Sequence, residues 1–269
     1  MTQTDGPTPQ PNGAGPAPSL PMFYGNPLLL QSEPHREAGL LPANGFGFAG
    51  KAVSLPLCAG EFAVAQRHYP IAFVEDDTAA MPMVITGLER DRNLFVGADG
   101  SWRAGAYVPA YARRYPFIVL ESPDKAQHML VVDQASDRFV AQAGPSSGAD
   151  RFFDGSGQAT PMAQSAIGFC EAYFADHAAT VAFGQALKAA RILVPNQANI
   201  TFPDGTPHTV NGFLSVDEAA FRALPSATVA DWHGRGWLDL VILHLASRLS
   251  WQVLLDLRAE RVAGVATRS

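Results

Sequence analysis

One phrase of nine residues occurs twice in the first half of the chain. It reads RHYPIAFVE at 67–75 and RRYPFIVLE at 113–121, and the match continues at the same offset without a gap, so that Met83 falls on Met129. A repeat of this kind is typical of a duplicated structural unit. The repeat therefore constrains the architecture first, and it names no reaction.

Each copy of the phrase predicts a helix that gives way to a strand. The residue before a proline is disfavoured in the α region, so Tyr69 and Tyr115 should mark the change. The apolar runs 71–74 and 117–120 have the length of strands and suit a sheet that is buried on both faces. Segments with hairpin character follow each strand: 83–86 with 93–96, and 128–132 with 138–140. We predict a helix–strand–hairpin unit used twice.

After Gly155 the pattern becomes mostly helical. Met162, Cys170 and Phe174 recur at helical spacing, which predicts one helix there and a second over 181–187. No strand-like alternation interrupts this stretch. We therefore expect the second half of the chain to begin with a helical region.

The rest of the second half contains a hairpin and further helices. Turn-forming residues at 203–205 lie between two apolar runs and predict a small hairpin. Ser215 and Glu218 have capping-box spacing, so a short helix should begin there. Another helix should close at Gly234, and a long apolar helix should follow it.

These elements predict an α+β fold, with a duplicated helix–strand–hairpin β-rich half packed against a mostly helical C-terminal half. The predicted divisions are a Pro/Gly-rich disordered tail at 1–20, the β-rich half at 21–157, the helical half of the same domain at 158–262, and a short tail at 263–269.

Composition and charge narrow the classes of function. Hydrophobic residues make up 47% of the chain and charged residues 16%, against roughly 25% charged in an average globular protein. The net charge of −6 is well mixed, and it offers a nucleic-acid backbone no electrostatic footprint. Two distant cysteines argue against a disulfide framework or a zinc site.

Nothing in the sequence predicts export or a membrane span. The N-terminus lacks the basic and apolar regions of a signal peptide. The most apolar stretch, 237–257, is interrupted by Asp239, Arg248 and Asp256, which is typical of a buried helix. We therefore expect a soluble protein in the cytoplasm.

Two segments match the letters of functional motifs but lack the neighbouring secondary structure that those motifs require. Residues 45–50 satisfy G-x-G-x-x-G, but no strand precedes them and Pro56 stops the segment that follows, so an aromatic glycine loop is the better prediction. Residues 144–148 satisfy G-x-S-x-G, but no helical pattern follows until Met162, so a nucleophile elbow is not expected. We predict no cofactor from either motif.

The histidines show no spacing that is typical of metal ligands, and no metal is predicted. His244 lies inside the apolar terminal helix and is expected to be a hydrogen-bonded core histidine. His35 lies in a short polar segment and is the better candidate for a functional role, with a plain surface histidine as the alternative.

The candidate binding residues gather around the two copies of the phrase. Arg113 and Arg114 are suited to holding a carboxylate through paired hydrogen bonds. The alternative is an internal ion pair, such as Arg113 with Glu61, that locks the copies together. The full set of candidate ligand- or partner-binding residues is His35, Glu61, Tyr69, Trp102, Tyr107, Arg113, Arg114 and Tyr115.

At this point the chain resembles a known family, the bacterial SapC family. The resemblance covers about 22–260. The residues that carry it are Phe23-Tyr24, His35, Phe48-Ala49, the run 53–57, Glu61-Phe62, the run 69–74, Gly87-Leu88, Asn93 to Val96, the runs 100–102 and 105–117, Gly212-Phe213, Val216-Asp217, Gly236-Trp237-Leu238 and the run 244–247. The family name comes from bacterial surface-layer loci, and some members are labelled as peptide-transport components. The resemblance supplies no catalytic residue.

The resemblance implies an accessory role. Genes of this family lie beside flavin-dependent halogenase-like enzymes, cupin-like oxygenases and outer-membrane receptors. We therefore expect a non-enzymatic accessory or binding protein that recognises a peptide, a protein or a small metabolite. Two alternatives stay open: an enzyme whose site is formed by Glu61, His35, Arg113 and Arg114, and a structural protein associated with a surface layer.

Overall fold

The computed structural model describes residues 20–122, 128–202 and 205–266, and in these residues antiparallel sheets pack on one long helix. The helices are α1 (Phe62–Ala65), α2 (Ala110–Arg113), α3 (Pro161–Ala190), α4 (Glu218–Arg222), α5 (Ser226–Gly234), α6 (Trp237–Ser247) and α7 (Trp251–Ala266). The strands are β1 (Pro27–Leu29), β2 (Gly39–Leu40), β3 (Ser54–Pro56), β4 (Ile71–Glu75), β5 (Ala80–Ile85), β6 (Phe117–Glu121), β7 (His128–Asp133), β8 (Phe139–Val140), β9 (Asp150–Arg151), β10 (Leu193–Thr201) and β11 (Pro207–Val216). The predicted α+β class is confirmed.

The strands form a five-stranded sheet and two three-stranded sheets. The five-stranded sheet has the order β10-β11-β4-β5-β3, and the other two have the orders β1-β7-β6 and β8-β2-β9. All of the strand pairs are antiparallel. Since β10 and β11 come from the C-terminal half and the other three strands from the N-terminal half, the two halves share one sheet.

Helix α3 joins the layers, because it contacts β5 in one sheet and both β6 and β7 in another. Thr160 caps its first turn by accepting a hydrogen bond from the Ala163 amide, and Pro161 occupies the first helical position, where no amide is needed. The two helices predicted over this region are therefore one helix of 30 residues. Neither glycine nor proline lies between Phe174 and Val181 to break it.

Both copies of the repeated phrase lie between a short helix and a strand. Helix α1 is followed by β4 and β5, and helix α2 is followed by β6 and β7, with Tyr69 and Tyr115 between helix and strand in each case. The β4–β5 and β6–β7 hairpins belong to different sheets. Duplication of the unit itself stays a prediction.

The second arm predicted for each hairpin was wrong. Residues 93–96 form no strand, because the Asn93 side chain binds the Phe95 amide and the Ala49 carbonyl and so folds the segment into a turn. Phe139 and Val140 form β8, which pairs with β2 rather than with β7. The observed hairpins are β4–β5 and β6–β7, so β5 and β7 pair with the strand before them and not with the segments at 93–96 and 138–140.

The C-terminal hairpin is longer than the sequence predicted. Strands β10 and β11 extend on both sides of the turn at 203–205, whose first two residues lie outside the described part of the chain. Ser215 belongs to β11, so the predicted capping box was wrong. Asp217 caps α4 instead, by accepting hydrogen bonds from the Ala219 and Ala220 amides. Helix α5 closes at Gly234 as predicted.

The terminal helical segment packs one face on the core and exposes the other. Val241, His244 and Leu254 are buried, whereas Ile242 is 55% and Leu249 83% exposed. In the part of the chain that the structure describes, the continuous helical run Trp237–Ala263, which comprises α6, a 3-10 turn and most of α7, is long and apolar enough to cross a membrane by length and composition alone, with 28% of its most apolar window buried.

The predicted tails lie mostly outside the described residues. Of residues 1–20 only Leu20 is described, and it is exposed. At the other end, helix α7 continues to Ala266, beyond the boundary predicted at 262.

The two matching motifs form loops. In 45–50 a single 3-10 turn covers Gly47–Ala49, and Phe46 and Phe48 pack edge-on or tilted against Trp102 and Tyr115. In 144–148 the Ser147 hydroxyl donates a hydrogen bond back to the Gly144 carbonyl. Neither segment leads into a helix that could hold a phosphate or an oxyanion.

Candidate functional site

A buried carboxylate, Glu61, connects the approaches to the two copies of the phrase. Its side chain accepts hydrogen bonds from the Cys58 amide at 2.8 Å, the Ala110 amide at 2.7 Å and the Tyr107 hydroxyl at 2.8 Å. Burial raises the pKa of the Glu61 carboxyl, and the hydrogen bonds oppose that rise. Three donors on one buried carboxylate indicate a structural role.

Arg113 supports this carboxylate through Tyr107. Its Nη2 donates to the Tyr107 hydroxyl at 2.9 Å, and its Nε donates to the Val108 carbonyl at 3.0 Å. The guanidinium also lies 5.2 Å from the centre of the Phe169 ring. The ion pair proposed between Arg113 and Glu61 is thus replaced by an Arg113–Tyr107–Glu61 chain.

Of the other aromatic candidates, Tyr69 and Trp102 are core residues and Tyr115 is partly buried. Trp102 donates from Nε1 to the Tyr69 hydroxyl at 3.1 Å, and that hydroxyl donates to the Tyr107 carbonyl. Tyr115 donates to the Asp133 carboxylate at 3.1 Å and packs 4.3 Å from the Phe48 ring centre. Burial raises the pKa of Tyr115 to about 12. These side chains hold the loops around the phrase in place.

His35 lies apart from this network. Its Nδ1 accepts a hydrogen bond from the Gln31 amide at 3.0 Å, and its own amide and carbonyl bond within the turn that runs from Gln31 to Ala38. Hydrogen bonds therefore join five of the eight candidates in one network: Glu61, Tyr69, Trp102, Tyr107 and Arg113. Arg114 and Tyr115 both contact the Tyr24 ring instead, and His35 lies in a separate loop.

Arg114 differs from the other candidates because it faces a pocket. Its guanidinium lies 4.4 Å from the Tyr111 ring centre and 4.3 Å from that of Tyr173. Its Nε is buried and has no hydrogen-bond partner, and no carboxylate of the described residues forms an ion pair with it. A guanidinium that contacts aromatic rings and has no carboxylate partner among the described residues is suited to binding an anion.

The Arg114 pocket has a volume of about 320 Å³, and helix α3 supplies one wall. Its lining includes Tyr111, Arg114 and Val119 on one side, and Cys170, Tyr173, Phe174 and His177 on α3. The four α3 residues are spaced i, i+3, i+4 and i+7, which places them on one face of the helix. The volume falls in the range of small-molecule sites.

Arg114 is the dominant charge in its pocket. Burial raises the pKa of the Cys170 thiol to about 11, so this thiol is protonated at neutral pH. Burial and the nearby Arg114 lower the pKa of His177, so its imidazole is neutral under the same conditions. The pocket therefore presents one cation among aromatic rings and neutral groups, and none of these groups is an activated nucleophile.

Sequence reasoning identified Arg114 but missed the wall opposite it. Cys170 and Phe174 were assigned to a helix by their spacing, and His177 continues the same face. This helical spacing was the sequence pattern that could have grouped the three residues, but it does not show that their face points toward Arg114. Among the described residues, no group of three or more His, Cys, Asp or Glu is placed to hold a metal ion.

Fold and pocket together define an α+β protein with an aromatic-lined pocket, in which Arg114 has no carboxylate partner among the described residues. The family model for SapC matches residues 30–254, so the chain belongs to the SapC family, as the resemblance indicated. Comparison with curated proteins gave no significant match. Comparison with solved structures gave none either.

Proposed function

We propose that this SapC family member is an accessory binding protein whose Arg114 pocket recognises the carboxylate of a peptide, a protein terminus or a small metabolite. The observation that carries the proposal is the guanidinium of Arg114, which is stacked between Tyr111 and Tyr173 and has no carboxylate partner among the described residues. Arginine in such a setting binds a carboxylate with two parallel hydrogen bonds.

The two tyrosines favour this role because they fix the guanidinium before a ligand arrives. A planar cation held over aromatic faces loses little conformational entropy on binding. Tyr173 is buried and forms part of the core, so the stacking geometry is set by the fold. The site is therefore suited to orientation and specificity.

The rim of the pocket favours a ligand that also has an apolar part. Phe174 lines the pocket and is 42% exposed, and Val119 faces it from β6. An exposed aromatic ring beside a partly buried cation is typical of a recognition surface. A ligand with a carboxylate attached to an aromatic or aliphatic group would pair with Arg114 and would also cover the apolar rim.

The resemblance supports an accessory role beside a flavin-dependent halogenase-like or cupin-like enzyme, or beside an outer-membrane uptake system. Cytoplasmic location belongs to the same proposal. The alternative enzyme site is less well supported, because His35 bonds only within its own turn and Glu61 is held by three donors. Nothing in the geometry specifically favours the surface-layer alternative.

Calorimetric titration with 3-phenylpropanoate tests the pocket directly. The wild-type protein should bind this acid and should not bind the matched amide, 3-phenylpropanamide. Arg114→Gln should weaken binding of the acid at least tenfold with an unchanged melting temperature. Arg67→Gln is the control, since Arg67 is exposed and does not line the pocket. Equal binding of acid and amide, or equal binding by Arg114→Gln, would overturn the proposal.

Affinity purification from the native lysate tests the accessory role. A halogenase-like, cupin-like or receptor partner should accompany the tagged wild-type protein and be lost with Arg114→Gln. Arg114 alone should be replaced in this experiment, because Arg113 supports Glu61 through Tyr107 and its loss would also disturb the fold. Recovery of the same partner with Arg114→Gln would remove the pocket from partner recognition.

A further inference from the structure

A second cavity, of about 420 Å³, lies on one face of the five-stranded sheet. It is separate from the Arg114 pocket, since the two share no lining residue. Strands β3, β4, β5 and β11 all contribute to its lining, together with the loop at 87–91. We call it the sheet-face cavity.

The register of the strands determines which side chains form the base of the sheet-face cavity. Ala72 on β4 pairs with Met83 on β5, and Ser54 on β3 pairs with Ile85 on β5. Side chains of directly paired residues project to the same face of a sheet, and residues two apart in a strand do likewise. These four side chains therefore share one face, opposite to the face of Phe73, which packs on His244 in the core.

One side of the cavity forms where β11 separates from β4. These strands pair at Leu214 and Phe73 alone, so the β10–β11 hairpin leaves the sheet beyond that point. Farther along β11, the His208 ring contacts the Leu88 carbonyl, which follows β5. The hairpin thus passes from its pairing with β4 to the loop that follows β5, and residues 210–213 of β11 line one side of the space over the sheet. Concave clefts of this size are common ligand sites.

The interior is apolar and partly accessible. Val53 and Val74 line the cavity and are 38% and 44% exposed. Met83 and the buried Ala72, which are directly paired across β5 and β4, also line it. Methionine is flexible and polarisable, so a floor that contains it adapts to apolar chains of different shape. Exposed apolar side chains in a concave site favour binding of an apolar ligand, because the ligand removes their surface from water.

The mouth carries an excess of unpaired positive charge. Lys51 and Arg90 are exposed, line the cavity and form no ion pair with a carboxylate of the described residues. Glu89 is already engaged by Arg92 at 3.3 Å and by Arg258 at 3.4 Å. Asp91 lies on the same rim and offsets one of the two cations. An anionic group at this mouth would meet complementary charge.

We propose that the sheet-face cavity binds a free amphiphile with an unbranched apolar chain and an anionic head, of the medium-chain fatty-acid class. The chain lies over Val74 and Met83 between β4 and β11, and the head lies at Lys51 and Arg90. This inference is independent of the proposed function of the Arg114 pocket, because the two cavities share no residue.

Calorimetric titration with decanoate tests it, with decan-1-ol as the uncharged chain and butanoate as the carboxylate without the chain. Decanoate should bind the full-length protein more tightly than either. Val74→Trp should fill the cavity and weaken decanoate binding at least tenfold, because an exposed strand position accepts an aromatic residue. Val53→Trp is a second variant of the same design, in case the first alters the fold.

The head group is tested by removing the charges at the mouth. Lys51→Ala with Arg90→Ala should weaken decanoate binding about tenfold and leave the binding of decan-1-ol unchanged. Arg67→Ala with Arg248→Ala is the matched control, since both are exposed cations that do not line the cavity. Thermal unfolding of each variant confirms that it is folded.

Three outcomes would overturn the inference. In the first, decanoate fails to bind the wild-type protein at millimolar concentration, and in the second, decan-1-ol binds as tightly as decanoate. In the third, decanoate binding would be lost in Arg114→Gln and retained in both tryptophan variants, which would assign it to the other pocket. Failure of 3-phenylpropanoate to bind at Arg114 leaves this test unaffected.

Discussion

The Tyr107 hydroxyl donates a hydrogen bond of 2.8 Å to the buried Glu61 carboxylate and so joins the segments that precede the two copies of the phrase. The residues are 46 positions apart, which is also the separation of Tyr69 and Tyr115 in the two copies of the phrase. The same carboxylate accepts the Ala110 amide at the start of α2. One buried acid therefore ties the first helix to the second.

Replacement of Glu61 should destabilise the protein strongly. Glu61→Ala leaves the Cys58 and Ala110 amides and the Tyr107 hydroxyl without their acceptor, at a cost of about 3 kcal/mol in the free energy of unfolding. Glu61→Gln keeps one carbonyl acceptor and should lose about half as much. Urea unfolding of the three proteins measures the difference. A Glu61→Ala midpoint equal to that of the wild type would show that the network contributes nothing.

Two glycines of α3 should respond in opposite directions to the same substitution. A Cβ at Gly184 would lie 2.2 Å from the Ala80 carbonyl oxygen on β5, so Gly184→Ala must push the helix off the sheet and should cost about 2 kcal/mol. A Cβ at Gly168 meets nothing within 4 Å, so Gly168→Ala should stabilise by about 0.5–1 kcal/mol through helix propensity.

Thermal unfolding of the two variants side by side measures this contrast. Gly168→Ala is the control for the general effect of alanine in this helix. Stabilisation by both substitutions would mean that α3 does not approach β5 as closely as the structure shows.

Local chemistry decided which parts of the fold could be predicted from the sequence. The change from helix to strand around Tyr69 and Tyr115 follows from the prolines after them, and the close of α5 follows from Gly234. Family membership followed from extended phrases. The turn at Asn93 was missed, because its side chain bonds the backbone of Ala49, 44 residues earlier.

Contacts between distant segments could not be predicted in this way. The pairing of Leu214 with Phe73 brings β11 into the sheet, and no local sequence pattern in either segment predicts this pairing. The Arg114 pocket has the same origin: Tyr111 and Tyr173 stack on one guanidinium although they belong to different helices. Helical spacing placed Cys170, Phe174 and His177 on one face, and only tertiary packing turns that face toward Arg114.

Both cysteines should be inert to thiol reagents in the folded protein. Cys58 and Cys170 are free and buried, and burial raises the pKa of the Cys58 thiol to about 12 and that of the Cys170 thiol to about 11. The thiolate, which is the reactive form, is therefore scarce at pH 8. Labelling with a chromogenic disulfide should be slow without denaturant and should reach two thiols per chain in urea.

The single variants Cys58→Ser and Cys170→Ser assign the labelling rates to each position. Rapid modification of the native protein at Cys170 would contradict the prediction, and it would show that the Arg114 pocket opens to solvent more widely than the structure indicates.

The pH dependence of stability should be governed in part by His244. This residue is 1% exposed, its Nε2 accepts a hydrogen bond from the Val216 amide at 3.1 Å, and burial lowers its pKa to about 4. The unfolded chain binds a proton at this position near pH 6.5, whereas the folded chain does not until about pH 4. Stability is therefore complete above the unfolded pKa and is lost as the pH falls toward 4.

Between pH 7 and pH 5 this single group should cost about 2 kcal/mol of unfolding free energy. His244→Gln keeps a carbonyl that can accept the Val216 hydrogen bond and removes the titration, so its stability should fall less over the same interval. His68 and His177, whose pKa values are also lowered by burial, contribute equally to both proteins and cancel in the comparison. Urea unfolding at the two pH values measures the difference. Parallel losses in wild type and variant would show that His244 takes up its proton over the same pH range in the folded and unfolded states, and the Val216 amide would then need another acceptor once His244 is protonated.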